Sequence, residues 1–140
     1  MNQKARALPY SHDDPADLIV VRDDVEGISI LHVFANLDLE NAGALAEEIK
    51  VFPRSRPLIV DLSKCNFIDG ACVEQLARAY ADRGDRFGIV VQPGSWIERV
   101  LQMVQPLREL PLATSDHEAL PRFCAPKPKS KPFLSVAASL

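Results

Sequence analysis

No apolar run in this sequence reaches the roughly 18 residues that a bilayer-spanning helix needs, so no membrane insertion is expected. The first residues, Met1 to Asp14, hold no hydrophobic stretch of the kind that marks a secretory leader. Cysteine is scarce. Cys65, Cys72 and Cys124 are odd in number and form no Cys-x-x-Cys pair, which argues against a disulfide framework and against a thiolate zinc site. Reduced thiols in a cytoplasmic setting are the natural expectation. Basic charge is not in excess: 16 Lys and Arg stand against 19 Asp and Glu, so the basic face of a nucleic-acid binder is missing and no such partner is expected.

Catalytic signatures are missing too. There is no Gly-x-Ser-x-Gly elbow, phosphate loop or dinucleotide fingerprint. Gly94-Ser95 precedes a helix, and capping accounts for that serine. His12, His32 and His117 never approach metal-ligand spacing, so no metal or cofactor is expected; His32, in an apolar stretch, reads as a core or sheet-face residue. Asp13-Asp14 and Asp23-Asp24 read as solvated turns. A carboxylate pair for acid–base chemistry would need an enclosing pocket, and nothing points to one. The chain is expected not to be an enzyme.

What remains is the pattern of one ordinary globular domain: 140 residues, 47% hydrophobic and 25% charged. Residues 1–16 are polar and broken by Pro9 and Pro15, and read as a loose arm before a domain spanning 17–124. Leu18 to Val21 and Ile28 to Ala35 are strand candidates around an acidic turn, Asp23 to Gly27, which predicts an antiparallel hairpin. Leu45, Ile49 and Phe52 then recur at helical spacing until Pro53 and Pro57. Leu58 to Leu62 is a compact strand, buried on both faces. Val73, Leu76, Ala77, Tyr80 and Ala81 form a second helical stripe closed by Gly84, and Phe87 to Val91 is the next strand.

Two Ser-x-x-Glu boxes, Ser95 to Glu98 and Ser115 to Glu118, announce later helices. The first opens a stripe of Ile97, Val100, Leu101 and Val104 that Pro106 stops, and Leu110 to Ala113 fits a short edge strand. The order β-β-α-β-α-β-α-β-α predicts an α/β fold: a mixed sheet with an N-terminal hairpin and about four helices packed on it. From 125 to 140 the composition shifts to proline and lysine. The three lysines there, with no acid, leave −6 on the rest of a chain whose total is −3. Such a stretch builds no core and is expected to be a disordered tail.

The informative segment runs from Leu58 to Leu76. A buried strand ends in Asp61-Leu62-Ser63, Phe67-Ile68-Asp69 follows, and an amphipathic helix begins with Asp69 at its N-cap. Upstream, Ala35-Asn36-Leu37-Asp38 leads through Asn41-Ala42 into the first helix. Together these stretches resemble the sulphate-transporter and anti-sigma-factor-antagonist family, the STAS domains. That pattern joins an Asp-Leu-Ser strand end to a Phe-Ile-Asp-Ser-Ser-Gly-like stretch, with a Gly-Glu-Leu-Asp motif after the second strand. The resemblance covers residues 18–123.

It implies a regulatory domain that binds a protein partner. Stand-alone members bind an anti-sigma factor that is also a serine kinase, and that kinase phosphorylates the serine after the motif's Asp. Here that position is Gly70, and the next two are Ala71 and Cys72, so no phosphoacceptor stands at the family position. The resemblance places partner binding at Asn36, Asp38, Asp69, Gly70, Ala71 and Cys72. It also implies an alternative role, as the accessory subunit of a lipid-trafficking ABC transporter, with a transporter subunit as partner. For Cys72 a thiolate at a helix start is one reading, and a small buried apolar residue the other. For Trp96, the lone tryptophan, an interface anchor and half-buried packing both stand open.

Overall fold

The computed structural model describes residues 18–124. The expected arm at 1–16 and tail at 125–140 lie outside the described residues. β1 (Val20–Val25) and β2 (Ile28–Val33) form the antiparallel hairpin, with Val25 opposite Ile28. The turn is therefore only Glu26-Gly27, at φ 54° and 83°. Two positive φ values make a hairpin turn whose twist matches the strands it joins. The expected turn at Asp23 to Gly27 is corrected by this: Asp23 and Asp24 are strand residues, and β1 carries them because it is an edge strand.

From β2 onward every pairing is parallel. β3 (Leu58–Asp61), β4 (Phe87–Val90) and β5 (Leu112–Ala113) follow, and the sheet order is β1-β2-β3-β4-β5. α1 (Ala42–Val51), α2 (Gly70–Arg83) and α3 (Trp96–Met103) are the crossovers. The last helical stretch falls into two single turns, α4 (Asp116–Ala119) and α5 (Pro121–Cys124). The expected mixed α/β sheet with its hairpin is the fold observed. No helix among the described residues is long and apolar enough to cross a membrane.

The two faces of the sheet are unequal. One buries Leu31, Val33, Leu58, Val60, Phe87 and Ile89 against Leu45 and Ile49 of α1, Val73 and Leu76 of α2, and Ile97 and Leu101 of α3. The α2 stripe is rotated slightly from expectation: Cys72 and Ala79 are buried, and Ala81 is exposed. On the other face the buried apolar cluster among the described residues is smaller: Ile28, Ile30, Ile59, Val90, Ala113 and Ala119, with Val25, Leu120 and Phe123 beside them. Arg83, buried at the end of α2, donates to the carbonyls of Ile49, Phe52 and Pro53 at 3.1, 2.6 and 3.1 Å. It thereby ties the C-terminal end of α1 and the loop after it to the end of α2.

The Ser boxes form in a modified way. Ser95 and Ser115 each accept from the amide three residues on, at 3.1 Å. Glu98 and Glu118 reach past the cap to the amides of Gly94 and Thr114, both at 2.7 Å.

Candidate functional site

Parallel strands direct their C-terminal ends to one edge of the molecule, and the loops that leave them start α1, α2 and α3 there. Two of those loops are fastened together. Leu37 pairs with Ile68 as an isolated parallel bridge: the Leu37 amide donates to the Phe67 carbonyl at 3.0 Å, and the Asp69 amide to the Leu37 carbonyl at 2.7 Å. The Asn66 amide donates to Asn36 Oδ1 at 3.2 Å, and the Cys72 thiol to the Asp38 carbonyl at 3.3 Å. Asn36, Asp38, Asp69, Gly70, Ala71 and Cys72, separated in sequence, are thus brought to one place.

Both acids are caps. Asp69 Oδ1 accepts from the Ala71 amide at 2.9 Å at the start of α2. Asp38 Oδ1 accepts from the Glu40 amide at 3.2 Å, while the Asp38 amide donates to Asn41 Oδ1 at 3.0 Å, which closes a single 3-10 turn (Leu39–Asn41) leading into α1. Gly70 is exposed at the first helical position. Its φ is not positive, and a Cβ built there would meet nothing within 4 Å. Neither backbone nor packing requires glycine at this position.

Cys72 points inward. Burial, reinforced by the charges of Asp69 and Asp38, pushes its thiol up to about 11. Cys65, which donates to the Ala35 carbonyl at 3.1 Å, is pushed up by burial to about 12. The geometry supports the buried apolar reading of Cys72 over the thiolate one.

Around these caps lies an apolar rim, of which the sequence singled out only Trp96, as a candidate interface anchor. Phe67 stacks on Trp96 with ring centroids 5.6 Å apart and planes 9° apart. Phe67 is 40% exposed, Trp96 51% and Leu39 65%, so three large apolar side chains face solvent at this end of the sheet. Trp96 is neither buried nor isolated: it is an exposed ring held flat against a second one. The available signal was a Phe in a loop and a Trp at a helix start, and both positions leave a side chain outside the core.

A second constellation lies on the thinly covered face. His32 of β2 stands opposite Asp61 of β3 in the parallel register, and its Nδ1 is 3.0 Å from Asp61 Oδ2. Asp116 Oδ2, at the start of α4, is 3.8 Å from the same nitrogen, and Asp23 Oδ2 is 3.8 Å from Nε2. The hydrogen bond that His32 donates to Asp61 raises the His32 pKa; burial opposes it, and the charges of Asp116, Asp61 and Asp23 add to the rise. Burial works to raise Asp61, but the bonds from His32 and Ser63 outweigh it and hold the acid down to about 2. Asp116 is raised by burial and by the neighbouring Asp61 charge. Oδ1 of Asp116 is buried without a hydrogen-bond partner among the described residues. His32 is a hydrogen-bonded sheet-face residue, and it sits among three carboxylates, Asp61, Asp116 and Asp23.

The family model described as the STAS domain matches residues 20–119. Among solved structures, an anti-sigma factor antagonist from Mycobacterium paratuberculosis superposes with a TM-score of 0.67 at 24% identity, over 79% of this chain and 97% of that one. The anti-sigma factor antagonist SpoIIAA in its unphosphorylated form superposes with a TM-score of 0.54 at 12% identity, over 76% of this chain and 96% of that one. A comparison with curated proteins found no match.

Proposed function

Because the chain belongs to the STAS domain family, we propose that it is a non-catalytic regulatory module of the anti-sigma factor antagonist type. It docks a protein partner through the end of the sheet that carries Asn36, Asp38, Asp69, Gly70, Ala71 and Cys72. The partner is an anti-sigma factor of the serine-kinase class, and the setting is cytoplasmic.

The observation that carries this reading is Gly70. It stands exposed between two capped helix starts, with open space where a side chain would be. In related domains a phosphorylatable serine occupies this place. Here nothing can be phosphorylated, and nothing in the local packing would exclude a serine. A phosphate would bring about −1.5 to −2 charge to this patch; without it position 70 stays small and uncharged beside Asp38 and Asp69, and docking is constitutive. The exposed Leu39, Phe67 and Trp96 supply the apolar area that a partner would bury.

The test titrates the full chain with purified anti-sigma kinases from its own genome, by calorimetry. Saturable binding is expected. Gly70→Glu should weaken it at least about tenfold, equivalent to about 1.4 kcal/mol. Gly70→Ser should bind nearly as well as the parent and become phosphorylated when kinase and ATP are supplied. Both variants should melt at or slightly above the parent temperature, since an acid or a serine in the first helical turn is favourable. A folded Gly70→Glu with unchanged affinity places the docking surface elsewhere. Binding to a permease–ATPase complex instead of any kinase would establish the transporter-accessory role.

A further inference from the structure

The face of the sheet opposite the three long helices carries a feature that partner docking does not use. We propose that His32, Asp61 and Asp116 form a binding site for a first-row divalent cation, with Zn²⁺ the first candidate, and that the ion pins α4 to the sheet.

The donor set is the first argument. One imidazole nitrogen and two carboxylate oxygens, from β2, β3 and the start of α4, lie within 4.8 Å of one another. His32 Nδ1 is 3.0 Å from Asp61 Oδ2 and 3.8 Å from Asp116 Oδ2. Donors bound to one ion at about 2.0–2.2 Å stand roughly 3–3.5 Å apart, so small side-chain rotations close this set on a metal. Imidazole mixed with carboxylate suits Zn²⁺ or Mn²⁺, while the absence of sulfur argues against the softest ions.

The second argument is an unanswered charge. Asp116 Oδ1 is buried and has no partner among the described residues, beside the carboxylate of Asp61. A buried carboxylate oxygen facing another acid is costly unless a shared proton or a cation lies between them, and a metal ion takes the place of that proton. The single imidazole has to serve three acids, and its short contact goes to Asp61 alone.

The surroundings supply the third. A histidine that ligates a metal usually directs its other ring nitrogen at a carboxylate, which fixes the ring and its tautomer. Asp23 Oδ2 stands 3.8 Å from His32 Nε2, beyond hydrogen-bond distance but close enough to take that role after a small rotation. Asp61 is held in turn by the Ser63 amide, which donates to Oδ1 at 2.9 Å and leaves Oδ2 facing the site. Binding replaces the proton between His32 Nδ1 and Asp61 and releases it to solvent. The gain would be structural, because α4 and α5 are single turns that cannot hold themselves as helices.

The experiment strips the full chain with chelator and titrates it at neutral pH with Zn²⁺, and separately with Mn²⁺, by calorimetry and thermal unfolding. Saturation at one ion per chain with a rise in melting temperature is expected for at least one of them. Asp116→Asn and His32→Gln should each weaken binding at least about tenfold, and Asp23→Asn about tenfold through loss of ring orientation. His117→Ala, which removes an exposed histidine beside the site, should bind as the parent does. Asp116→Asn, at the half-buried start of a single-turn helix, decides the matter if His32→Gln fails to fold. No saturable binding of either ion at millimolar concentration overturns the proposal. So does a folded Asp116→Asn that binds with parental affinity.

Discussion

The Asp69 amide donates to the Leu37 carbonyl at 2.7 Å, and this bond joins the start of α2 to the loop that starts α1. The bond uses only backbone atoms, so the two capping acids can be altered while the junction stays in place.

Replacing Asp69 by Ala removes the Ala71 cap and should cost about 1 kcal/mol. Asp69→Asn, which keeps an accepting oxygen, should lose less. Urea unfolding with an unchanged slope checks both. A loss beyond about 3 kcal/mol for Asp69→Ala would show that its carboxylate does more than cap the helix.

Trp96→Ala should separate stability from binding. An exposed aromatic stack is worth about 0.5–1.5 kcal/mol to the fold. As the anchor of the apolar rim, the ring should be worth about 2 kcal/mol or more to partner affinity. Trp96 is the sole tryptophan, so its emission should shift to the blue when partner covers it. Emission unchanged at saturation would remove Trp96 from the interface.

Arg83→Leu should be the most damaging of these changes, at about 3 kcal/mol. It leaves the carbonyls of Ile49, Phe52 and Pro53 without their charged donor. Arg83→Lys should recover less than half, because a single ammonium cannot reproduce the guanidinium fork. Thermal unfolding of the three proteins gives the order, and equal stability of the Lys variant and the parent would contradict it.

The Cys72 thiol, pushed up to about 11, should resist iodoacetamide near pH 8 in the native protein and react once urea exposes it. Peptide mapping by mass spectrometry reads this directly for Cys72. Rapid native labelling there would restore the thiolate reading.

The element order was legible because proline, glycine and capping serines punctuate the chain and the apolar period changes between them. Asp38 and Asp69 were legible as helix starts for the same reason. The end of β1 was misread because an acid pair before glycine resembles a turn, whereas an edge strand tolerates such charge. Ala81 was counted into the α2 stripe because alanine fits either side of a helix. The His32 cluster stayed hidden for a different reason. Its members come from β2, β3 and α4, and only the parallel register that sets His32 against Asp61 brings them together. The alternation Ile28, Ile30, His32 hinted at a shared face, but no periodicity within one segment names the partner across the sheet. Phe67 was quoted as part of a motif, and its exposure depends on the Leu37–Ile68 bridge that turns the loop outward.

The sheet order β1-β2-β3-β4-β5 repeats the order of the chain itself. During synthesis, each strand after the first leaves the ribosome when the strand it must pair with has already been made. Only the leading edge of the growing sheet stays open, and its partner is always the next strand to be translated, whereas the central strand of a doubly wound sheet waits through several units. Such vectorial growth shortens the time for which an unpaired edge is available to other chains. It also sets a sequence of events: the hairpin first, then one crossover unit at a time laid beside the last.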